Sequence, residues 1–109
     1  MNVKRVDIDN CYDAIIKFQN KFKAIPFEEA TNEKIAALIN DFLSKLNRRL
    51  ALCEQGLEEK NIQVDHEDLK DIKSALNYYS GFAKVSDESV NEVFERIKKL
   101  ECLIDRSSP

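Results

Sequence analysis

The sequence predicts an all-α fold in which a single domain, residues 1–109, forms an antiparallel four-helix bundle. The chain of 109 residues has only two glycines and two prolines, fewer turn-forming residues than an all-β domain needs. Hydrophobic residues make up 43% and charged residues 34%, a balance typical of a globular protein with a charged surface. Four segments also repeat apolar residues every three or four positions, which is the periodicity of amphipathic helices.

The longest of the four segments is predicted to be the central helix of the bundle. It spans about residues 32–56 and begins after a cap at Thr31 or Asn32. It runs to about Gln55 or beyond, and Gly56 is a candidate for the residue that follows its last turn. Its sequence holds two adjacent apolar stripes, and a helix with two stripes needs two neighbours. The first stripe consists of Ile39, Leu43, Leu46, Leu50, Cys53 and Leu57, and the second of Ile35, Leu38, Phe42 and Leu52.

The first helix is predicted over about residues 8–25. Either Asp7 or Asp9 can cap its start, since a carboxylate accepts hydrogen bonds from the unpaired N–H groups of a first turn. Pro26 ends the helix because the residue before a proline is pushed out of helical geometry.

The last two helices are predicted over about residues 66–83 and 87–104. Asp65 caps the third helix and Ser86 caps the fourth. A valine precedes each of these two caps, and it can pack on the first turn as a hydrophobic staple.

Three pairs of opposite charges are expected on outward helix faces. In the second helix Asp41 precedes Lys45 by four residues, and in the fourth Glu92 precedes Arg96 and Glu95 precedes Lys99 by the same spacing. An acid that is four residues N-terminal to a base forms the favourable pair on a helix surface. We therefore predict one salt bridge within the second helix and two within the fourth.

The second helix raises a question about length. At ~1.5 Å per residue it spans roughly 38 Å, whereas the other three helices reach only about 25–30 Å. Either it bends and stays buried in its own bundle, or its end projects and exposes Leu50, Cys53 and Leu57. An exposed apolar strip is normally covered by a partner or by a second copy of the chain. An alternative architecture is a long hairpin of helices 1 and 2 with helices 3 and 4 packed at one end, or exchanged between subunits.

The sequence carries no catalytic or cofactor signature. The only histidine, His66, stands among acids at a predicted helix start, without the further His or Cys ligands that a zinc site needs. No serine lies in a glycine-rich elbow, and the two glycines are isolated, so there is no phosphate-binding loop. We therefore expect a protein that is not an enzyme and that has no cofactor and no metal site.

The cysteines and the hydropathy pattern suggest a cytoplasmic location. Cys11, Cys53 and Cys102 are odd in number, contain no CxxC pair, and fall on or near apolar helix faces, so we expect buried, reduced thiols. The first ten residues have no apolar signal core. The longest apolar run, IAALI, is too short to span a membrane, so no membrane partner is expected.

A partner-binding surface is predicted on the second and third helices. Lys45, Arg48 and Arg49 follow the i, i+3, i+4 spacing of one helical patch, which Lys17, Lys21 and Lys23 could extend from the first helix. Tyr78 points away from its apolar seam, as interface tyrosines do. The full set of predicted partner-binding residues is Lys45, Arg48, Arg49, Leu50, Leu57 and Tyr78.

These features favour a small protein-binding module of the regulator, inhibitor, immunity, adaptor or chaperone type. Its partner would be another protein, or a second copy of the chain bound through helix 2. In size and number of helices the chain resembles the small helical immunity proteins that guard bacteria against their own toxins, but no motif carries this resemblance. The alternative is a nucleic-acid-associated regulator that uses Lys45, Arg48 and Arg49. The formal net charge of −3 argues against that alternative.

Overall fold

The computed structural model describes residues 6–59, 64–81 and 87–107 of the chain. Within these ranges the chain forms four α-helices and one short 3₁₀ turn, and it contains no strand. The predicted all-α class and helix number are therefore confirmed. The helices are α1 (Val6–Ala24), α2 (Asn32–Glu58), α3 (His66–Ser80) and α4 (Asp87–Ser107), and the 3₁₀ turn is Phe27–Glu29.

The long helix α2 packs against two helices, α1 on one side and α4 on the other. Helix α3 completes the bundle by packing against α1 and α4. The order around the bundle is therefore α1, α2, α4, α3, and the predicted long central second helix is confirmed. The 27 residues of α2 span about 40 Å. This length contributes to the elongated shape of the molecule, 52 × 25 × 19 Å.

Helices that are consecutive in the chain run antiparallel within each half of the bundle. In α1 and α2, the rings of Phe18 and Phe42 stack with centroids 4.4 Å apart, while Cys11 lies nearer the other end with its Sγ 3.8 Å from that of Cys53. Residue numbers thus rise along α1 as they fall along α2. In α3 and α4, the same pattern follows from the ion pairs His66–Asp105 and Lys73–Glu101.

The two halves of the bundle meet through parallel pairs. Between α1 and α3, Tyr12 donates a hydrogen bond to Asp68, and further along both helices Phe22 meets Tyr79 with ring centroids 5.5 Å apart. Between α2 and α4, Asn47 donates a hydrogen bond to Glu92, and one turn further along α4 Arg96 reaches Glu54, further along α2. In the order α1, α2, α4, α3 around the bundle, helices α2 and α3 lie at opposite corners although they are consecutive in the chain.

The core is built from the predicted apolar seams of all four helices. Fully burying one aliphatic or aromatic side chain contributes about 1.5–3 kcal/mol, so a continuous seam on each helix is enough to hold the bundle together. The most completely buried aliphatic side chains are Ile8, Ile39, Leu46, Leu50, Leu69, Ile72, Leu76, Val93, Ile97 and Leu100.

The C-terminal end of α2 does not expose an apolar strip, so that alternative is wrong. Leu50 and Cys53 are 0% exposed and Leu57 is 7% exposed. The start of α1 covers this end, with Cys11 in contact with Cys53. Helix α4 also continues to Ser107, three residues beyond its predicted end, and buries Ile104 in the same core.

The start of α1 and the end of α2 differ from the predicted boundaries. Helix α1 begins at Val6, so Asp7 and Asp9 lie within its first turn and are not its caps. Their negative charges interact favourably with the positive end of the helix dipole. Helix α2 continues through Gly56, which is buried. A glycine inside a helix costs about 1 kcal/mol relative to alanine, and burial of the adjacent Leu57 offsets that cost.

The predicted caps of α2 and α3 are confirmed. Thr31 Oγ1 accepts a hydrogen bond from the Lys34 N–H at 3.2 Å. Asp65 accepts from the Asp68 N–H at 3.0 Å, and the Asp68 carboxylate in turn accepts from the Asp65 N–H at 3.1 Å. This reciprocal pair is a capping box, which satisfies two N–H groups that the helix itself leaves unpaired.

Helix α3 ends at Ser80, with Gly81 as its C-terminal cap. The predicted end was about residue 83, so the helix is shorter than expected. Residues 82 and 83 at the predicted end of this helix and the predicted cap at Ser86 lie outside the described residues.

Candidate functional site: a basic groove between the first two helices

The structure separates the six predicted partner-binding residues into two that line a groove, two that are exposed elsewhere and two that are buried in the core. Lys45 and Arg49 line one groove between α1 and α2. Arg48 is exposed but is not among the residues that line it. Tyr78 is 62% exposed on α3, also away from the groove lining.

Leu50 and Leu57 do not contribute to this surface. Both side chains lie in the core, where no partner could reach them without unfolding the bundle. The apolar half of the predicted surface is therefore wrong. Its periodicity was that of a core seam, because α1 and α4 enclose α2 along its length.

We call the remaining feature the basic groove. It encloses about 140 Å³ between α1 and α2. Its walls carry four cationic side chains, two from each helix, and one acid. The cations are Lys17, Lys21, Lys45 and Arg49, the acid is Asp41, and the apolar lining consists of Ala14, Phe18, Leu38 and Phe42.

The apolar floor of the basic groove is supported from behind. Phe18 and Phe42 are 4% and 3% exposed, and their rings are stacked at 4.4 Å. Tyr79 of α3 presents an edge-on contact to Phe18 with centroids 4.7 Å apart. Because three helices fix these rings, the floor is part of the core and keeps its shape when a ligand enters.

The cationic walls follow one motif that occurs on both helices. Helix α1 carries Asp13, Lys17 and Lys21 at four-residue steps, and α2 carries Asp41, Lys45 and Arg49 at the same steps. The predicted Asp41–Lys45 salt bridge forms at 3.0 Å, and the Asp13–Lys17 salt bridge forms at the same distance. Within the described part of the chain, Lys21 and Arg49 form no ion pair. Each helix therefore presents one paired and one unpaired cation.

The predicted basic patch overlaps the groove only in part. The patch consisted of Lys45, Arg48 and Arg49 with an extension to Lys17, Lys21 and Lys23 of α1. The structure leaves Arg48 and Lys23 outside the groove lining, which brings together Lys17, Lys21, Lys45 and Arg49. The repeated Asp-x₃-Lys-x₃-Lys/Arg spacing on both helices is visible in the sequence and could have identified them. Only the α1–α2 register shows that the two copies face the same groove.

The cysteines lie behind and away from the basic groove. Cys11 and Cys53 are buried as predicted, and the mutual hydrogen bond together with burial raises the pKa of the Cys11 thiol well above its ordinary value. A thiol that stays protonated is a poor nucleophile. Cys102 is exposed, contrary to expectation, because the buried seam of α4 passes through Leu100 and Ile104.

A second polar cluster joins α2 to α4. Arg96 bonds to Glu54 at 2.7 Å and to Asn47 at 2.8 Å. The predicted Glu92–Arg96 pair is therefore replaced by an interhelical one, and Glu92 accepts a hydrogen bond from Asn47 at 3.5 Å. Arg96 and Glu54 are only 29% and 19% exposed, so this cluster acts as a connection within the bundle.

A third polar cluster lies where α1 meets the start of α3. The Tyr12 hydroxyl lies 2.9 Å from Asp68 Oδ1 and 3.1 Å from Asp71 Oδ2. Burial, helped by these carboxylates, raises the pKa of Tyr12 above its ordinary value. His66 bonds instead to Asp105 of α4 at 2.8 Å. In the described ranges, no group of three or more His, Cys, Asp or Glu side chains is arranged to hold a metal ion.

Comparison with protein-family models, with curated proteins and with solved structures gives no match to this chain. No relative therefore assigns a role to the basic groove, and its own geometry has to indicate one. None of the helices in the described residues has the length and apolar character that crossing a membrane requires.

Proposed function

We propose that this protein is a non-enzymatic protein-binding module whose basic groove docks an acidic segment of a partner protein. The observation that carries the proposal is an apolar floor framed by four cationic side chains. Apolar area supplies affinity, and the cations select a partner of opposite charge and speed its association. A role as a regulator, inhibitor, immunity protein, adaptor or chaperone is compatible with such a surface.

The chemistry of the lining supports binding over catalysis. The ionisable side chains in the groove are lysines, one arginine and one aspartate, and that aspartate is already bonded to Lys45. None of the lining residues is a serine, cysteine or histidine, so no nucleophile stands beside a base. This lining favours a binding role, and we propose that the protein is not an enzyme.

A protein partner is also better supported than nucleic acid. Of the four groove cations, Lys17 and Lys45 are already in salt bridges, which leaves Lys21 and Arg49. Nucleic-acid binding depends on several phosphate contacts made by a clearly basic surface. Two unpaired cations on a chain of net charge −3 are too few for that mode, whereas they suffice for a short acidic segment.

The cytoplasm is the compartment that we propose for this activity. All three cysteines are free, including Cys11 and Cys53, whose sulfur atoms are 3.8 Å apart. Reduced thiols in such proximity are typical of proteins in a reducing compartment.

The proposal can be tested by selecting random displayed peptides against the folded protein. We expect the selected peptides to be acidic and to contain an aromatic or large aliphatic residue. The double substitution Lys45→Glu/Arg49→Glu should weaken their binding at least tenfold, because a charge-assisted contact contributes roughly 1.5–3 kcal/mol.

The matched control is Lys23→Glu/Lys70→Glu, which changes the net charge equally at exposed positions outside the groove. Its affinity for the same peptides should stay within about twofold of the wild type, given the small effect of remote surface charges. Peptides that bind both double variants equally well would refute the groove as the docking site.

A further inference from the structure

We infer that the occupant of the basic groove is an acidic amphipathic α-helix of the partner, with two carboxylates about two turns apart and one apolar side chain between them on the same face. This inference rests on the proposed function and specifies the ligand of the same site. It follows from the register of α1 and α2, the pairing of the cations, and the size of the floor.

The register places the two unpaired cations at opposite ends of the groove. Phe18 lies opposite Phe42 and Cys11 opposite Cys53. In this register Lys17 is level with Lys45, Arg49 is level with Asp13 of α1, and Lys21 is level with Asp41 of α2. The carboxylates of both aspartates reach towards the middle, where they bond to Lys17 and Lys45. Lys21 lies eight residues beyond Asp13 along α1, which corresponds to about 12 Å at 1.5 Å per residue.

The salt bridges make the ends the stronger anchoring points for carboxylates. Lys17 and Lys45, in the middle, are each bonded to an aspartate of their own helix at 3.0 Å. A ligand carboxylate in the middle would have to compete with Asp13 and Asp41. At Lys21 and Arg49 it would gain a new charge-assisted hydrogen bond without displacing one.

The middle of the groove suits one apolar side chain. Its volume of about 140 Å³ is close to the ~150 Å³ of a protein cavity that holds a benzene ring. A single leucine or phenylalanine side chain can therefore lie against the stacked Phe18 and Phe42 rings. This gives the order carboxylate, apolar side chain, carboxylate along about 12 Å.

A helix presents that order with its own backbone satisfied. Carboxylates seven residues apart are separated by about 10.5 Å along a helix, and long side chains cover the remainder. An apolar residue four positions after the first carboxylate lies on the same face. The lining of the groove consists of helical side chains and offers no sheet edge, so an extended peptide would leave backbone groups unpaired against the floor.

The probe that tests this inference is a fluorescein-labelled peptide of 15 residues in an alanine–glutamine background. It carries Glu at positions 4 and 11 and Leu at position 8. A lactam bridge on its opposite face fixes the helix, so a missing signal cannot be due to an unfolded peptide. The control isomer has the same composition, with the two glutamates moved to positions 6 and 13, off the leucine face.

Fluorescence anisotropy should show the first peptide binding at least tenfold more tightly than the isomer. Arg49→Glu and Lys21→Glu should each weaken binding about fivefold or more, since each removes one charge-assisted contact. Lys23→Glu, on the same helix but outside the groove lining, should have no such effect. A peptide with Lys at the position that meets residue 49 should recover affinity for the Arg49→Glu variant.

Equal affinity for the two isomers, or no binding of the bridged peptide, would overturn this inference. The proposed function would still stand if displayed peptides were selected whose binding depends on Lys45 and Arg49. If no groove-dependent peptide were selected, the proposed function would fail as well.

Discussion

The least expected single-residue feature is the role of Asp68. This carboxylate is only 6% exposed, yet it has partners on two sides. It completes the capping box of α3 through the Asp65 N–H and accepts a hydrogen bond from the Tyr12 hydroxyl of α1. The same carboxylate thus belongs to the capping box of α3 and contacts α1, and this contact fixes the position of α3 along the axis of α1.

Replacing Tyr12 with phenylalanine tests this contact. The variant removes one hydrogen bond to a buried, charged carboxylate, so we expect a loss of about 1.5–3 kcal/mol in the free energy of unfolding. Urea denaturation measures the change. Asp71→Asn is the control, because it leaves the Tyr12–Asp68 bond intact and alters only the more exposed acceptor. Equal losses in the two variants would contradict the role given to Asp68.

The same contact predicts a pH dependence. The pKa of Tyr12 is raised in the folded protein, so the stabilisation is fully present below the ordinary tyrosine pKa of about 10. It is lost as the pH rises from that value through the folded-state pKa, since the unfolded chain releases the proton first. Between about pH 9 and 12 the wild type should lose more stability than Tyr12→Phe. Parallel curves would show that Tyr12 does not contribute to the alkaline transition.

At the scale of a helix, α2 shows how far periodicity can be followed. The six residues of its predicted first stripe are all buried, and its start at Thr31 is confirmed. The helix ends at Glu58, two residues beyond the approximate predicted end. Gly56 is not the residue that follows the helix, because it is buried and the helix continues past it. The sequence also could not decide whether Leu50 and Leu57 are buried within the chain or exposed to a partner. An apolar stripe does not reveal whether the surface that covers it belongs to the same chain or to another one.

The two leucines Leu50 and Leu52 provide a test of this correction on a single helix. Leu50 is 0% exposed and Leu52 is 47% exposed. Leu50→Ala removes buried methyl groups and leaves a cavity, so we expect a loss of about 2–5 kcal/mol. Leu52→Ala should cost well under half as much, as surface substitutions do, and thermal or urea unfolding would measure both. A Leu50→Ala variant no less stable than Leu52→Ala would mean that the end of α2 lies outside the core.

The basic groove illustrates the same limit for the site. The four-residue steps of charge on α2 made Lys45 and Arg49 recognisable from the sequence. Whether they face the same groove as Lys17 and Lys21 depends on the register between α1 and α2. The stacked rings of Phe18 and Phe42 determine that register. Tyr78, predicted as part of the same surface, lies on α3 outside the groove lining, and its role as an interface residue stays a prediction.

At the scale of the whole molecule, a chain of net charge −3 presents a local basic surface. The groove between α1 and α2 brings four cations around an apolar floor. The groove between α2 and α4 near the C-terminal end of α2 mixes three glutamates with three basic residues, so it has no preferred charge of ligand. Of these two grooves, the one between α1 and α2 therefore has the clearer preference for an acidic ligand, as a specific docking site requires.

The most direct measurement is a two-dimensional ¹H–¹⁵N NMR titration of the labelled protein with an acidic peptide obtained from the displayed library. The protein is 12.6 kDa, small enough for every amide to be followed. We expect the largest shift changes at amides that line the groove, namely those of Lys17, Phe18, Lys21, Phe42, Lys45 and Arg49. Shift changes centred instead on α3 and α4, or around Tyr78, would show that the partner binds elsewhere and that the basic groove is not the functional site.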